Sequence, residues 1–189
     1  MTTIEQTVFS EYEARKVNVI IGQEVGTIKC LGKIEEEATV RTVTKNCRGV
    51  VAKTITRGTG SGVITISAHI PIALYRKMLS MADESLVTGV YSYGRNSLHP
   101  NFTLTADVFD EDDNEKLKAW PVCNMNTGGQ SVIENGAEEV AEVEIEVAYS
   151  PDDYGNGFYE ALVADLSDDT VKTDWMEKFT PELVHIEEV

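Results

Sequence analysis

From residue 140 to residue 149 apolar and acidic side chains alternate almost without a break: Val140, Ala141, Glu142, Val143, Glu144, Ile145, Glu146, Val147, Ala148, Tyr149. Successive side chains of a strand point to opposite faces, so Val143, Ile145, Val147 and Tyr149 share one face and Glu142, Glu144 and Glu146 the other. A helix would scatter both sets around its circumference. The stretch predicts a half-buried antiparallel strand, with a core on one side and carboxylates about 7 Å apart on a wet side.

The same reading along the chain predicts mostly strands. Residues 1–15 are polar with scattered apolar anchors (Ile4, Val8, Phe9, Tyr12) and read as an arm or a short helix. Strand texture follows at 17–21, 27–31 and 38–44, with Gly22 and Gly26 as turn residues. Two further strands, 47–56 and 63–70, are joined by a run from Arg57 through Gly58 and Gly60 to Gly62, which reads as a flexible hairpin tip. Pro71 suits the first position of a helix over about 71–81, whose apolar stripe is Ile72, Tyr75 and Leu79, with Met78 and Met81 nearby. Residues 86–93 resume strand texture, and 102–109 pairs with 116–125 across the acidic turn 110–115. Beyond Pro151, Tyr159, Leu162, Val163 and Leu166 recur at helical spacing, and Asp169 caps a second helix carrying Val171, Trp175 and Phe179 until Pro181 stops it. The expected fold is mainly β (α+β): an antiparallel β-sandwich or barrel over 16–150, flanked by one central helix, with the arm 1–15 before it and a helical segment, 151–189, packing on the same domain.

Charge changes the picture more than composition does. Lys and Arg number 16 against 32 Asp and Glu, a formal −16, and such a surface repels nucleic acid and anionic membranes. No apolar run approaches the ~18 residues of a membrane helix. The first residues lack a basic and an apolar region, so synthesis in the cytoplasm without a secretory signal is expected. Cys30, Cys47 and Cys123 are widely spaced and read as reduced, mostly buried thiols.

Candidate chemistry is thin. The glycines at 58, 60 and 62 lead into a strand rather than the helix a phosphate loop requires. Asp110, Asp112 and Asn114 resemble the start of a calcium loop, but Glu115 replaces its glycine and Pro121 its final glutamate. His69, His99 and His185 show no metal-type spacing, and no local signature joins a cysteine to a histidine. The sequon at Asn101 needs a secretory route. No metal, no cofactor and no enzyme are expected.

The second half, however, resembles a known family. The segments 99–108 (His-Pro-Asn-Phe-Thr-Leu-Thr-Ala-Asp-Val), 119–125 (Ala-Trp-Pro-Val-Cys-Asn-Met), 133–142 (Ile-Glu-Asn-Gly-Ala-Glu-Glu-Val-Ala-Glu) and 154–162 (Tyr-Gly-Asn-Gly-Phe-Tyr-Glu-Ala-Leu) are similar, in order and spacing, to major tail (tail tube) proteins of long-tailed bacteriophages, particularly siphophages of Gram-positive hosts. The resemblance covers about residues 90–184; the first half agrees in texture only. It implies a virion tail protein, made in the bacterial host cytoplasm, whose hexameric rings stack into a hollow tube. Its partners would be further copies of itself, a tape-measure protein, tail terminator and distal tail proteins, and genomic DNA passing through the lumen without specific binding. Related folds build contractile-tail, tailocin and type VI secretion tubes, so a tube of that kind is the alternative, and a small-ligand-binding barrel is an alternative of another class. On the tube reading Glu142, Glu144 and Glu146, with Asp107, are lumen candidates, since an acidic wall denies the phosphate backbone sticky contacts. The same row would equally suit an ordinary solvated face. Phe9, Tyr12, Arg57, Gly60, Trp175 and Phe179 are the candidates for contacts between subunits or rings, the last two also as anchors of the C-terminal segment.

Overall fold

The computed structural model describes residues 8–81, 86–128, 130–133, 135–136 and 138–186. They run through β1 (Glu13–Ile21), β2 (Glu24–Ile28), β3 (Cys30–Cys47), β4 (Val50–His69), α1 (Ile72–Met78), β5 (Phe102–Phe109), β6 (Glu115–Met125), β7 (Val143–Ser150), β8 (Tyr159–Leu162) and α2 (Asp169–Lys178), with 3-10 turns at Val163–Asp165 and Pro181–Leu183. The fold is mainly β, as the alternation predicts.

All pairings are antiparallel, in the order β2-β1-β5-β6-β7-β4-β3, with β8 added to the first half of β6. β2 and β3 stand at opposite ends of this order, yet only Lys29 separates them in sequence. One bent run of chain therefore pairs first with β1 and then with β4, which rolls the sheet into a barrel. Inward residues of β1, β2, β4, β5, β6 and β7 fill it: Val17, Ile28, Ile64, Leu104, Trp120 and Ile145 are among those with essentially no exposure. Each such burial contributes roughly 1.5–3 kcal/mol. Leu74, Met78 and Leu79 of the α1 region stopper one end, and Gly26 lies where a Cβ would strike Leu74.

A second, smaller core lies outside the barrel. Leu117 and Ala119 on the outer face of β6 are covered by Trp175, Met176 and Phe179. Asp168 caps α2 by accepting from the Thr170 amide, and the Met176 carbonyl accepts from Asn18 Nδ2 at 2.8 Å and Thr105 Oγ1 at 3.0 Å, which pins the helix to β1 and β5.

Several expectations change. The glycine run 57–62 is not a hairpin tip: β4 continues through it, and the chain reverses at Arg48 (φ 51) and Gly49 (φ 79), a two-residue turn with both residues left-handed. Residues 86–93 form no strand. The 159–166 segment is a strand followed by a 3-10 turn, because β6 offers free backbone at Lys116–Ala119 and so short a segment gains little as an isolated helix. Met78 and Leu79 are buried, as the stripe predicts, but Leu74 joins them in place of Ile72, which is exposed. β7 begins at Val143, so Glu142 stands before the strand. Residues 13–15 of the expected arm belong to β1, and residues 1–7 lie outside the described ones.

Candidate functional site

Two surfaces stand out from the barrel, a ribbon and an acidic wall. β3 and β4 pair as one long hairpin, but only their inner halves have a core: inside Ala38 and Gly62 the side chains of β4 alternate between buried and half-buried, and beyond this pair the ribbon is almost wholly exposed to its tip. The nine residues of β3 from Thr39 to Cys47 at the usual rise give a projection of about 30 Å. At its root Val40 pairs with Gly58 and Ala38 with Gly62, so three residues on β4 oppose Thr39 alone. This bulge explains the glycines. Gly60 takes φ +73 there, and a Cβ at Gly62 would collide with the Glu37 carbonyl and the Tyr149 phenol.

The ribbon has two distinct faces. Directly opposed residues of an antiparallel pair share a face, so Arg41 and Arg57, Val43 and Ile55, and Lys45 and Lys53 form one face. Thr42 with Thr56 and Thr44 with Thr54 form the other, where the Thr42 and Thr56 hydroxyls lie 3.0 Å apart.

The wall is the outer face of β3, β4 and β7. Cross-strand register sets Glu35 beside Thr65 and Thr65 beside Glu146, and Ser67 beside Glu144. Glu37 opposes Val63, and Lys33, paired with Glu35 at 2.7 Å, is the cation at its margin. Glu144 and Glu146 thus share a wet face, as expected, while Glu142 turns against Gly32 of β3. Glu35 and Glu37 were not legible in the sequence, because the run Glu35, Glu36, Glu37 hides its period: Glu36 turns inward.

Glu36 belongs to a charged latch at the root of the ribbon. It accepts from Lys118 Nζ at 2.7 Å and from Trp120 Nε1 at 3.0 Å, while Glu11 reaches Lys116 at 2.6 Å and Lys118 at 3.4 Å. Burial is the largest single influence on Lys118 and opposes its charge, but the bonds and charges of Glu36 and Glu11 together outweigh it and raise the ammonium pKa. Burial likewise pushes Glu11 up, and the Lys116 bond with both ammonium charges brings it below its ordinary value. Burial next to the Glu36 charge lifts the Tyr149 phenol to about 12. The latch flanks a cavity of about 500 Å³ between β1 and β3 whose lining includes Arg15, Lys29, Lys33 and Glu13. That is a wet cleft, whereas the barrel interior is filled by Trp120, Tyr149 and Met78; a sheltered apolar ligand has no room there.

The remaining expected site residues fall elsewhere. Asp107 is 7% exposed, accepts from the Lys16 amide at 2.6 Å and occupies the face of β5 that carries Thr105 and α2, so it lines no wet wall. Trp175 and Phe179 are buried in the second core with their rings 4.8 Å apart; they anchor α2 within the chain and present nothing to a neighbour. Phe9 packs on the barrel core under Lys116 Nζ, and Tyr12 is exposed. Arg57 is exposed on the ribbon, and Gly60 lies in its basal bulge. Asp110 is occupied by its own turn, accepting from the amides of Asp112 and Asn114. Among the described residues no group of three His, Cys, Asp or Glu is placed to hold a metal, and no helix is long and apolar enough to cross a membrane. Of the three cysteines expected to be mostly buried only Cys123 is, with its thiol pushed far up by burial; Cys30 and Cys47 are exposed, at the two ends of β3, and the ring nitrogens of His99 meet Tyr93 and the Met125 carbonyl rather than a thiol.

No protein-family model matches the chain, and no curated protein matches it. Fourteen chains of solved structures do. One, from an extracellular contractile injection system solved as a sheath–tube complex, is 11% identical with a TM-score of 0.48, over 79% of this chain and 90% of its own. Another, Hcp1 from Flavobacterium johnsoniae, is 10% identical with a TM-score of 0.41, over 77% of this chain and 94% of its own. A third, from the tube-terminating cap of the anti-feeding prophage, is 9% identical with a TM-score of 0.47, over 85% and 97%. At such identities these are likenesses of chain path alone.

Proposed function

We propose that this chain is a structural subunit that assembles with its own copies into stacked rings around a hollow channel and catalyses no reaction. The observation that carries this reading is the ribbon: a two-stranded projection of about 30 Å with both faces in water is marginal by itself and acquires a reason if a neighbouring copy covers it. Rings form when one surface of a subunit meets a different surface of the next and the rotation closes; six subunits per ring is the count the sequence resemblance implies. Glu35, Glu37, Glu144 and Glu146 supply a wall that a polyanionic or acidic cargo would slide past without adhering.

Two versions of the tube share this account. The contractile or secretion tube goes with the names of the solved chains above and is taken first; the siphophage tail tube, with a tape-measure protein and DNA in its lumen, goes with the motifs of the second half. Genes for a sheath and a baseplate ATPase beside this one would mark the first version. Negative-stain microscopy of the purified protein at rising concentration tests both: rings or tubes of uniform bore are expected, and monomers alone under every condition would overturn the reading.

A further inference from the structure

The cations of this chain are unevenly placed. Residues 39–60 hold Arg41, Lys45, Arg48, Lys53 and Arg57 and no Asp or Glu, so the ribbon carries +5 while the rest of the chain carries −21 against −16 for the whole. Among the described residues none of these five meets a carboxylate. Moreover, Arg41 opposes Arg57 and Lys45 opposes Lys53 directly across the strands, an arrangement that weakens an isolated hairpin. In a chain with twice as many acids as bases, four like charges facing each other in pairs around Val43 and Ile55 make a surface shaped for something outside the chain, acidic with an apolar centre.

The opposite pole of the molecule has that character. β4 leads away from the ribbon to His69 and α1, and β7 enters at the same end, with Val143 beside Ala68. The segment before β7 meets α1 there, since Tyr75 Oη donates to the Gly128 carbonyl at 3.0 Å. It exposes Val132, Ile133 (91%) and Val140 (83%) together with Glu138 and Glu139. From residue 126 to residue 146 the sequence contains six glutamates and no Lys or Arg.

Resting on the tube reading, we infer that the cationic face of one copy's ribbon docks on residues 132–133 and 138–140 of the next copy, Val43 and Ile55 on Val132, Ile133 and Val140, with Arg41, Lys45, Lys53 and Arg57 meeting Glu138 and Glu139. Ribbon and acceptor lie at opposite poles of one molecule, so the contact is head-to-tail, and on the tube reading it joins a copy in one ring to a copy in the next and propagates along the axis. Nucleic acid is the poorer occupant, because the ribbon face has no aromatic residue to stack a base and the remaining −21 repels a polyanion.

Charge reversal tests this directly. One variant carries Arg41→Glu, Lys45→Glu, Lys53→Glu and Arg57→Glu; the other carries Glu138→Lys and Glu139→Lys. Each alone is expected to raise the concentration needed for tubes about tenfold or more, in the range of several lost charge pairs, and mixing the two in equal amounts is expected to restore tubes, since each then offers the other a matched pole. Restoration also shows that both variants are folded. In the wild type the threshold concentration is expected to rise with added salt. Wild-type tubes with variants that assemble as well as wild type, or a mixture that stays unassembled, would overturn the docking and leave the tube reading standing. Failure of the wild type to assemble would overturn both, and retardation of duplex DNA by the wild type, lost in the ribbon variant, would give the ribbon to nucleic acid instead.

Discussion

The inner and outer halves of β3 and β4 are the same two strands in one continuous ladder, yet only the inner half has a core. Inside the barrel Ile34, Ile64 and Ile66 turn inward and Glu36 is caught by Lys118 and Trp120. Outside it, Val40, Val43, Val50, Val51 and Ile55 lie in water. Backbone pairing persists where burial stops, and since the net gain from each hydrogen bond is small, the outer half contributes little to the stability of the single chain. A segment of that kind gains from a surface that covers it. The difference separates what the chain needs to fold from what it keeps for contact.

Substitutions can break this division. Ile66→Ala, at a fully buried position, is expected to cost about 3 kcal/mol in urea denaturation, while Val43→Ala on the ribbon costs under about 0.5 kcal/mol and weakens assembly instead; equal costs would mean the ribbon packs within its own chain. Glu36→Ala strands the Trp120 N–H and most of the pairing of Lys118 and is expected to cost roughly 3 kcal/mol by the same measurement. Gly62→Ala sets a Cβ on the Glu37 carbonyl and the Tyr149 ring, whereas Gly58→Ala meets open space; about 1–3 kcal/mol is expected for the first and about nothing for the second.

The smallest expected effects depend on pH. Glu11 is held below its ordinary pKa in the fold, so its contribution is present above the unfolded value and is lost as pH falls through the folded one. Glu11→Gln should flatten the acid limb of a plot of melting temperature against pH. Tyr149 is lifted from 10 to about 12, so stability is lost as pH rises from 10 toward 12, and Tyr149→Phe should delay that loss. An unchanged profile in either variant would remove the group from the account.

Much of the barrel was legible because burial writes a period into the sequence. Val143 to Tyr149 and Phe102 to Val108 alternate as half-buried strands must, and the Trp175 and Phe179 stripe marked α2 correctly. The ribbon was legible only as strand, since residues with water on both faces carry no period that tells where the hairpin turns. The glycines at 58, 60 and 62 looked like a tip because glycine signals turns, while here it accommodates a bulge, Tyr149 and Gly157. Of the acidic wall, Glu144 and Glu146 could be read from their alternation. Glu35 and Glu37 could not, because Glu36 has its partners 82 and 84 residues away; Asp107 misled for the same reason, its amide partner being 91 residues away.

The division between barrel and ribbon is tested most directly by replacing residues 40–57 with a two-residue turn and imaging the product beside the wild type by electron microscopy. A folded chain that melts close to the wild type and forms no tubes at concentrations where the wild type does is expected. Tubes of normal length and bore from the shortened chain would contradict the division.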